Sequence, residues 1–333
     1  MLTNNGFIGL MLSGCSRFSR LVVIAAIASV AMTVYGPSWA AGSTKASPSS
    51  PMLQFFGYAM IDGCFHDPGD ARAQNTNYML EVAAFSNVAQ MCVSYPTEAI
   101  TSRLNLMTQN RMNAILSVQA LFFQPGSNVA PSGGKKLVIR PDYLSRWNAF
   151  VSLNDLINHA AQIQAFYVVD EPTWNGVSYK DLKTAADTIK ARFPSIPNFI
   201  VEASQALNNL AVPPSIDWIG MDEYAVPDPA NDIEYLNQVA ILRSKKSSHA
   251  QKLVVVMEGR WLPEYDVAGF APSDMAAVAT SYYILAHTQP DVIGIMVYLW
   301  PGGFDKITEL GSRELPTSVQ ATQAVIGRSI SGK

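Results

Sequence analysis

Histidine is scarce in this 333-residue chain: the four copies stand at 66, 159, 249 and 287, with no HExxH or His-x-His spacing among them. Imidazole-based metal sites rely on such spacing, and Asp62, His66, Asp222 and Glu223 form no regular alternative, so no metal is expected. Positive charge is also in short supply. Lys and Arg number 23 against 26 Asp and Glu, for a net charge of −3. Phosphate backbones demand basic patches, which excludes nucleic acid as a partner and argues against anionic membranes and strongly acidic polymers. Glycine-rich phosphate loops are missing too. Asp62-Gly63-Cys64-Phe65 follows the first apolar run and no P-loop occurs anywhere, so neither a Rossmann site nor any other cofactor is expected.

Long apolar runs are limited to one, Leu21 to Tyr35, preceded by Arg17 and Arg20 and followed by Ser38-Trp39-Ala40. A basic flank, an apolar stretch and a small-residue exit read as a secretory signal over residues 1–40, cut after Ala40. The alternative is a retained anchor, for which the run falls short of the ~20 residues that span a bilayer. Removing residues 1–40 takes away two positive charges and no negative one, moving the net charge to −5. Localisation is then secreted or periplasmic, with no membrane association after cleavage. Of three cysteines, Cys15 leaves with the signal, and the remaining pair, Cys64 and Cys92, reads as a disulfide in an oxidising compartment.

Residues 41–52 are small, polar and proline-containing, a flexible leader, and the remainder, 53–333, has the length of one α/β barrel. Eight apolar runs follow one another: 55–61, 88–93, 113–118, 164–169, 198–202, 217–221, 253–257 and 292–299. Most are continuous, as in strands buried on both faces of a parallel sheet. Amphipathic stretches separate them. Ser178 with Asp181 opens a helix carrying Leu182, Ala185, Ile189 and Phe193 up to Pro194; Ser273-Asp274 opens another, and Thr97-Glu98 a third, from Ile100 to Leu106. Residues 124–140 read as one long loop on the substrate rim. The expected fold is a single-domain (β/α)8 TIM barrel.

Barrel enzymes carry their working groups where strands end, and acids and aromatics concentrate there in this chain. The fourth run leads into Asp170-Glu171-Pro172-Thr173-Trp174, the sixth into Asp222-Glu223-Tyr224, the seventh into Glu258-Gly259-Arg260-Trp261, and the eighth into Trp300. Cleaving a glycosidic bond takes two carboxyl groups, one to protonate the leaving oxygen and one to attack carbon or activate water. Sugar rings also stack on flat aromatics, which Trp174, Trp261 and Trp300 would supply. Asp222 and Arg260 are candidates for contacts to hydroxyls, and His66 for a rim contact.

In the order and spacing of these short motifs the chain resembles the clan A glycoside hydrolases, the superfamily of retaining (β/α)8 glycosidases. The resemblance implies Glu171 as acid/base and Glu258 as nucleophile, with Tyr224 hydrogen-bonding the nucleophile, Trp300 as sugar platform and a poly- or oligosaccharide as substrate. Retention expects the two carboxyls ~5 to 5.5 Å apart, inversion ~6.5 to 9.5 Å. One residue departs from the pattern: Asp170 stands where the clan usually has Asn. An adjacent acid raises the pKa of Glu171, which suits a general acid. The Asp-Glu pair also resembles that of substrate-assisted N-acetylhexosaminidases, in which Asp170 would orient an acetamido group and Glu258 would bind rather than attack. A non-catalytic carbohydrate-binding barrel is the alternative from another class. Sugar identity, linkage, endo or exo action and oligomeric state leave no mark in the sequence.

Overall fold

The structure is a computed structural model that describes residues 53–64, 77–267 and 269–333. The expected signal, the leader and His66 lie outside the described residues. The strands are β1 (Phe55–Asp62), β2 (Val88–Cys92), β3 (Asn113–Ser117), β4 (Phe123–Val129), β5 (Lys135–Ile139), β6 (Ile163–Asp170), β7 (Asn198–Ala203), β8 (Trp218–Asp222), β9 (Lys252–Glu258) and β10 (Val292–Tyr298). All but β4 and β5 pair in parallel and close into an eight-stranded barrel, β1-β2-β3-β6-β7-β8-β9-β10 and back to β1. The helices are α1 (Met79–Val82), α2 (Thr101–Gln109), α3 (Gln119–Phe122), α4 (Tyr143–Leu153), α5 (Tyr179–Arg192), α6 (Ile233–Ser244), α7 (Glu264–Val267), α8 (Met275–Thr288) and α9 (Thr317–Ser331).

Each barrel strand buries two faces, which is why its sequence runs apolar without alternation. Outward residues such as Phe56, Leu116, Phe166, Ile200, Ile219 and Val255 join the core under the helices. Inward residues form a second, separate core from Phe55, Ile115, Tyr167, Phe199, Trp218 and Val254. Phe55 stacks on Trp218 at 5.2 Å between ring centres, so aromatics plug the lumen near the strand starts. The polar end is the other one, where Asp170, Glu171, Asp222 and Glu258 end or follow their strands.

The α5 start matches its sequence signal, with Ser178 Oγ accepting the Asp181 N–H at 3.0 Å. The helix expected from Ile100 to Leu106 is found at Thr101–Gln109 with Ile100 as its N-cap residue. Its opening residues differ in role: Glu98 accepts from the Ser94 N–H and Arg103, and the Ile100 N–H donates to Asn154 Oδ1 at 2.7 Å. One expectation is corrected. Residues 124–140 are mostly not loop but an antiparallel β4-β5 hairpin turning through Pro131-Ser132-Gly133-Gly134. Gly133 holds φ +82°, a left-handed value that glycine adopts at no steric cost. The hairpin leans on the segment after β6, with Ser132 N–H donating to Trp174 O at 3.0 Å and Leu137 N–H to Asn175 O at 2.9 Å.

Cys64 and Cys92 are disulfide-bonded, tying the end of β1 to the end of β2. The bond closes a separation of 28 residues, which in the chain-entropy account contributes about 3 to 4 kcal/mol. Reduction, or Cys64→Ser with Cys92→Ser, is therefore expected to lower the unfolding free energy by about that amount. Urea unfolding with and without reductant reads this directly, and coincident midpoints would show that the bond contributes nothing.

Candidate active site

The two proposed strand-end glutamates stand on opposite arcs of the same barrel mouth, in unlike surroundings. On β6 the pairing register shifts between Tyr167 and Val169, which places Tyr167 and Asp170 on the luminal side together. The Tyr167 hydroxyl donates to Asp170 Oδ1. Glu171 follows with φ +43°, a strained value for a non-glycine residue that recurs at functional sites. It is fixed there by its N–H to Val201 O at 2.8 Å and by the Asn175 N–H to its carbonyl at 2.7 Å. Its side chain is 5 % exposed, and Oε2 is buried with no hydrogen-bond partner among the described residues. Burial first, then the charges of Asp222 and Asp170, push its pKa far above the ordinary carboxylate range. Fully buried Glu202 holds the next turn, accepting N–H bonds from Thr173 at 2.7 Å and Trp174 at 3.1 Å.

Glu258 ends β9 and is 0 % exposed, with both oxygens engaged. Tyr265, on α7, donates its hydroxyl to Oε1, and the Ala225 N–H donates to Oε2 at 2.9 Å. Ala225 sits at φ +61°, the left-handed turn that aims this N–H. Arg260 Nε lies 3.9 Å from Oε1. Burial raises the Glu258 pKa to about 7, against the lowering by Arg260, Tyr265 and Ala225. Gly259 has no room for a side chain, since a Cβ would stand 2.3 Å from Val297 Cγ1. Tyr265→Phe removes one of the bonds that favour the charged form, so the Glu258 pKa is expected to rise by one to two units above about 7. A carboxyl-carbon NMR titration checks this, and an unchanged value would mean the bond has no such influence.

Between the two arcs lie Asp222, Tyr224, Arg260, Tyr298 and Asp305. Arg260 is buried, stacks over Tyr224 at 4.0 Å from ring centre, and binds Asp305 and Glu309, the latter at 3.1 Å. Tyr224 donates to Asp222 Oδ2 at 3.1 Å and packs against Tyr298 at 5.4 Å. The hydroxyl on Glu258 is thus that of Tyr265, and Tyr224 serves Asp222 instead. Among the described residues Asp222 makes no hydrogen bond or ion pair with Arg260, whose charge acts on it only at longer range, while Glu223 accepts from Ser204 and from Gln238 at 3.3 Å.

The three expected tryptophans part company. Trp261 is 8 % exposed and gives its indole N–H to Phe270 O at 3.1 Å. Trp300 is 5 % exposed, gives its N–H to Glu81 at 2.7 Å and meets Tyr58 edge-on at 4.9 Å. Only Trp174 is half-open. Tyr167, Glu202, Tyr265, Tyr298, Asp305 and Glu309 escaped the sequence reading. Tyr167 interrupts an apolar run, the one local signal among them; Tyr265 and Asp305 come from segments after the strands with no pattern of their own.

No family model matches the chain, and no curated protein matches it. Solved structures do. The glucosidase from Croceicoccus marinus superposes with TM-score 0.55 and 13 % identity, over 85 % of this chain and 68 % of that one. Xylanase 10C from Cellvibrio japonicus, a mutant in complex with xylopentaose, gives TM-score 0.51 at 11 % identity, over 85 % of this chain and 68 % of that one. A GH113 β-1,4-mannanase gives 0.50 at 9 %, over 85 % of this chain and all of the other. At such identities the likeness speaks for the fold alone.

Proposed function

We propose that this protein is an exported glycoside hydrolase acting on a poly- or oligosaccharide by a retaining double displacement, with Glu171 as acid/base and Glu258 as nucleophile. One observation carries the reading: two glutamates end β6 and β9 at one mouth, and their surroundings favour opposite protonation states. Glu171 has no donor to its buried Oε2 and is crowded by other carboxyls, so it keeps its proton at neutral pH. Glu258 receives two hydrogen bonds and lies beside a guanidinium, so it ionises far more readily. Paired titratable groups set apart in this way are the usual arrangement of acid and base roles. The structural neighbours named as glucosidase, xylanase and mannanase support a carbohydrate substrate on this fold.

In the proposed cycle Glu171 delivers its proton to the leaving oxygen as Glu258 attacks the anomeric carbon. Water, deprotonated by Glu171, then releases the sugar. Tyr265 and the Ala225 N–H hold Glu258 in place, while Asp170, Asp222, Trp174, Tyr224 and Arg260 line the substrate region; Trp261 and Trp300 are instead packed against Phe270 and against Glu81 and Tyr58. The chain would work in secreted or periplasmic form after loss of residues 1–40, with barrel 53–333 as the catalytic domain. N-terminal sequencing of exported protein tests that boundary.

The complete burial of Glu258 favours keeping one second reading, in which Asp170-Glu171 runs a substrate-assisted hydrolysis of an N-acetylhexosaminide and Glu258 only binds. A 2-fluoro glycoside chosen from an activity screen distinguishes the two. A stable adduct mapped to Glu258 supports the double displacement, whereas no adduct together with strong thiazoline inhibition supports the other. Glycan binding with no turnover of any substrate would reduce the barrel to a binding module.

A further inference from the structure

Glu171 holds a left-handed backbone, which persists only where its surroundings over-determine it. On one flank the barrel does so. β6 pairs with β7 as far as Asp170 opposite Val201, the Glu171 N–H reaches Val201 O at 2.8 Å, and Glu202 accepts from Thr173 and Trp174. On the other flank the ladder stops early. β3 ends at Ser117 opposite Tyr167, so among the described residues no barrel strand runs beside Asp170 to Asn175 there.

The insert between β3 and α4 takes that strand's place. Gln119 Oε1 accepts the Asp170 N–H at 2.9 Å, the Ser132 N–H donates to Trp174 O at 3.0 Å, and the Leu137 N–H donates to Asn175 O at 2.9 Å. Asn175 carries this hold back to the acid, giving its N–H to Glu171 O at 2.7 Å and its Nδ2 to Asp170 O at 3.2 Å. The hairpin is composed for the purpose. In an antiparallel pair, alternate residues turn their N–H groups away from the partner strand. Leu137 is one of these, and opposite it stands Pro125, whose missing N–H therefore costs the ladder nothing. Arg140 closes the hairpin base, its guanidinium donating to Ala120 O at 3.1 Å, Phe123 O at 2.9 Å and Gln124 Oε1 at 3.2 Å.

We propose that Gln119 and the β4-β5 hairpin are positioning elements for the acid/base, holding the Glu171 carboxyl where its proton meets the leaving oxygen. Neither touches Glu258, so the attack on carbon does not depend on them. The inference rests on the assignment of Glu171 as acid/base. Proton transfer is sensitive to placement, and a shift of about 1 Å costs up to about 10²-fold.

The test uses the full chain with Asn-Gly in place of residues 125–137, which leaves Gln124 opposite Val138 to close a two-residue turn and keeps the Arg140 anchor. The probes are 2,4-dinitrophenyl and methyl β-glycosides of cellobiose, mannobiose and xylobiose, compared by kcat/KM, which reports the step that expels the leaving group. On the methyl glycosides, whose leaving group needs a proton, the truncation is expected to lose about 10- to 100-fold; on the dinitrophenyl glycosides the change should stay within about threefold. A crystal structure of the truncated protein reads the same effect without substrate, as a displacement of the Glu171 carboxyl by about 1 Å or more. Gln119→Leu should show the same selective loss and Gln119→Glu, which keeps an acceptor for the Asp170 N–H, should return most of it; this pair carries the test if the truncated chain does not fold. Equal losses on both leaving groups, no loss on either, or an unmoved carboxyl overturns the proposal. Glu171→Gln is assayed alongside. A selective loss there with none in the positioning variants removes this inference alone, whereas an unselective Glu171→Gln removes the acid/base reading and this inference with it.

Discussion

Glu171→Gln is expected to lower kcat by about 10²- to 10⁴-fold on natural glycosides, the range a positioned general acid contributes. Gln keeps the volume and the hydrogen-bonding shape but has no proton to give. The loss should shrink on aryl glycosides whose leaving groups need no protonation, and that contrast separates an acid from a merely structural residue. The pH profile follows from the two environments. The nucleophile must be ionised and the acid protonated, so wild-type activity rises through about pH 7 as Glu258 loses its proton. It declines only well above neutrality, because burial and the neighbouring Asp222 and Asp170 hold the Glu171 proton. In Glu171→Gln the rise near 7 remains and the alkaline decline disappears. Stopped assays from pH 5 to about 11.5 on a glycoside whose leaving group needs protonation measure both limbs, and a variant that retains the decline would assign it elsewhere.

Glu258→Gln should be more damaging, by roughly 10⁴-fold or more, since the covalent step has no substitute. Glu258→Ala leaves a cavity beside Arg260 and Tyr265 that a small anion can fill, so azide should restore turnover and yield a glycosyl azide. A loss of less than about 10²-fold, with no azide effect, would mean that Glu258 binds rather than attacks. The same residue carries a stability signature. Its pKa in the fold, about 7, lies above the ~4.3 of an unfolded Glu, so the folded chain binds a proton that the unfolded chain has released across that window. The resulting stabilisation is whole below about pH 4 and is lost as pH climbs through 7, amounting to about 4 kcal/mol. Relative to the Gln variant, wild type should thus weaken between pH 5 and 8, which denaturant melts at the two pH values would record.

The barrel was legible because its signal is repeated eight times. Continuous apolar runs mark strands buried on both sides, and all eight coincide with observed strands to within a residue or two. The α5 start was legible from Ser178 because a cap is a contact within three residues. The hairpin over β4 and β5 was not. Few of its strand residues are buried, and β4 carries Pro, Gly, Ser and Asn, so neither a buried apolar run nor the composition of β4 sets it apart from loop. The helix after Ile100 was legible, but its partner was not, because Asn154, some fifty residues away, supplies the bond at Ile100.

By itself, the sequence determined which acids end which strands, since a strand's end is a local event and the barrel always brings those ends to one rim. Glu171 and Glu258 follow from that alone, as does the pairing of Cys64 with Cys92 once two cysteines remain in an oxidising compartment. Only the tertiary structure decided what surrounds them. Tyr265 rather than Tyr224 reaches Glu258, Arg260 is spent on Asp305 and Glu309, and Trp261 and Trp300 turn inward. Protonation, hydrogen bonding and access depend on burial and on neighbours far away in the chain, and a register shift of one residue at Tyr167 is enough to choose which side chains face the lumen.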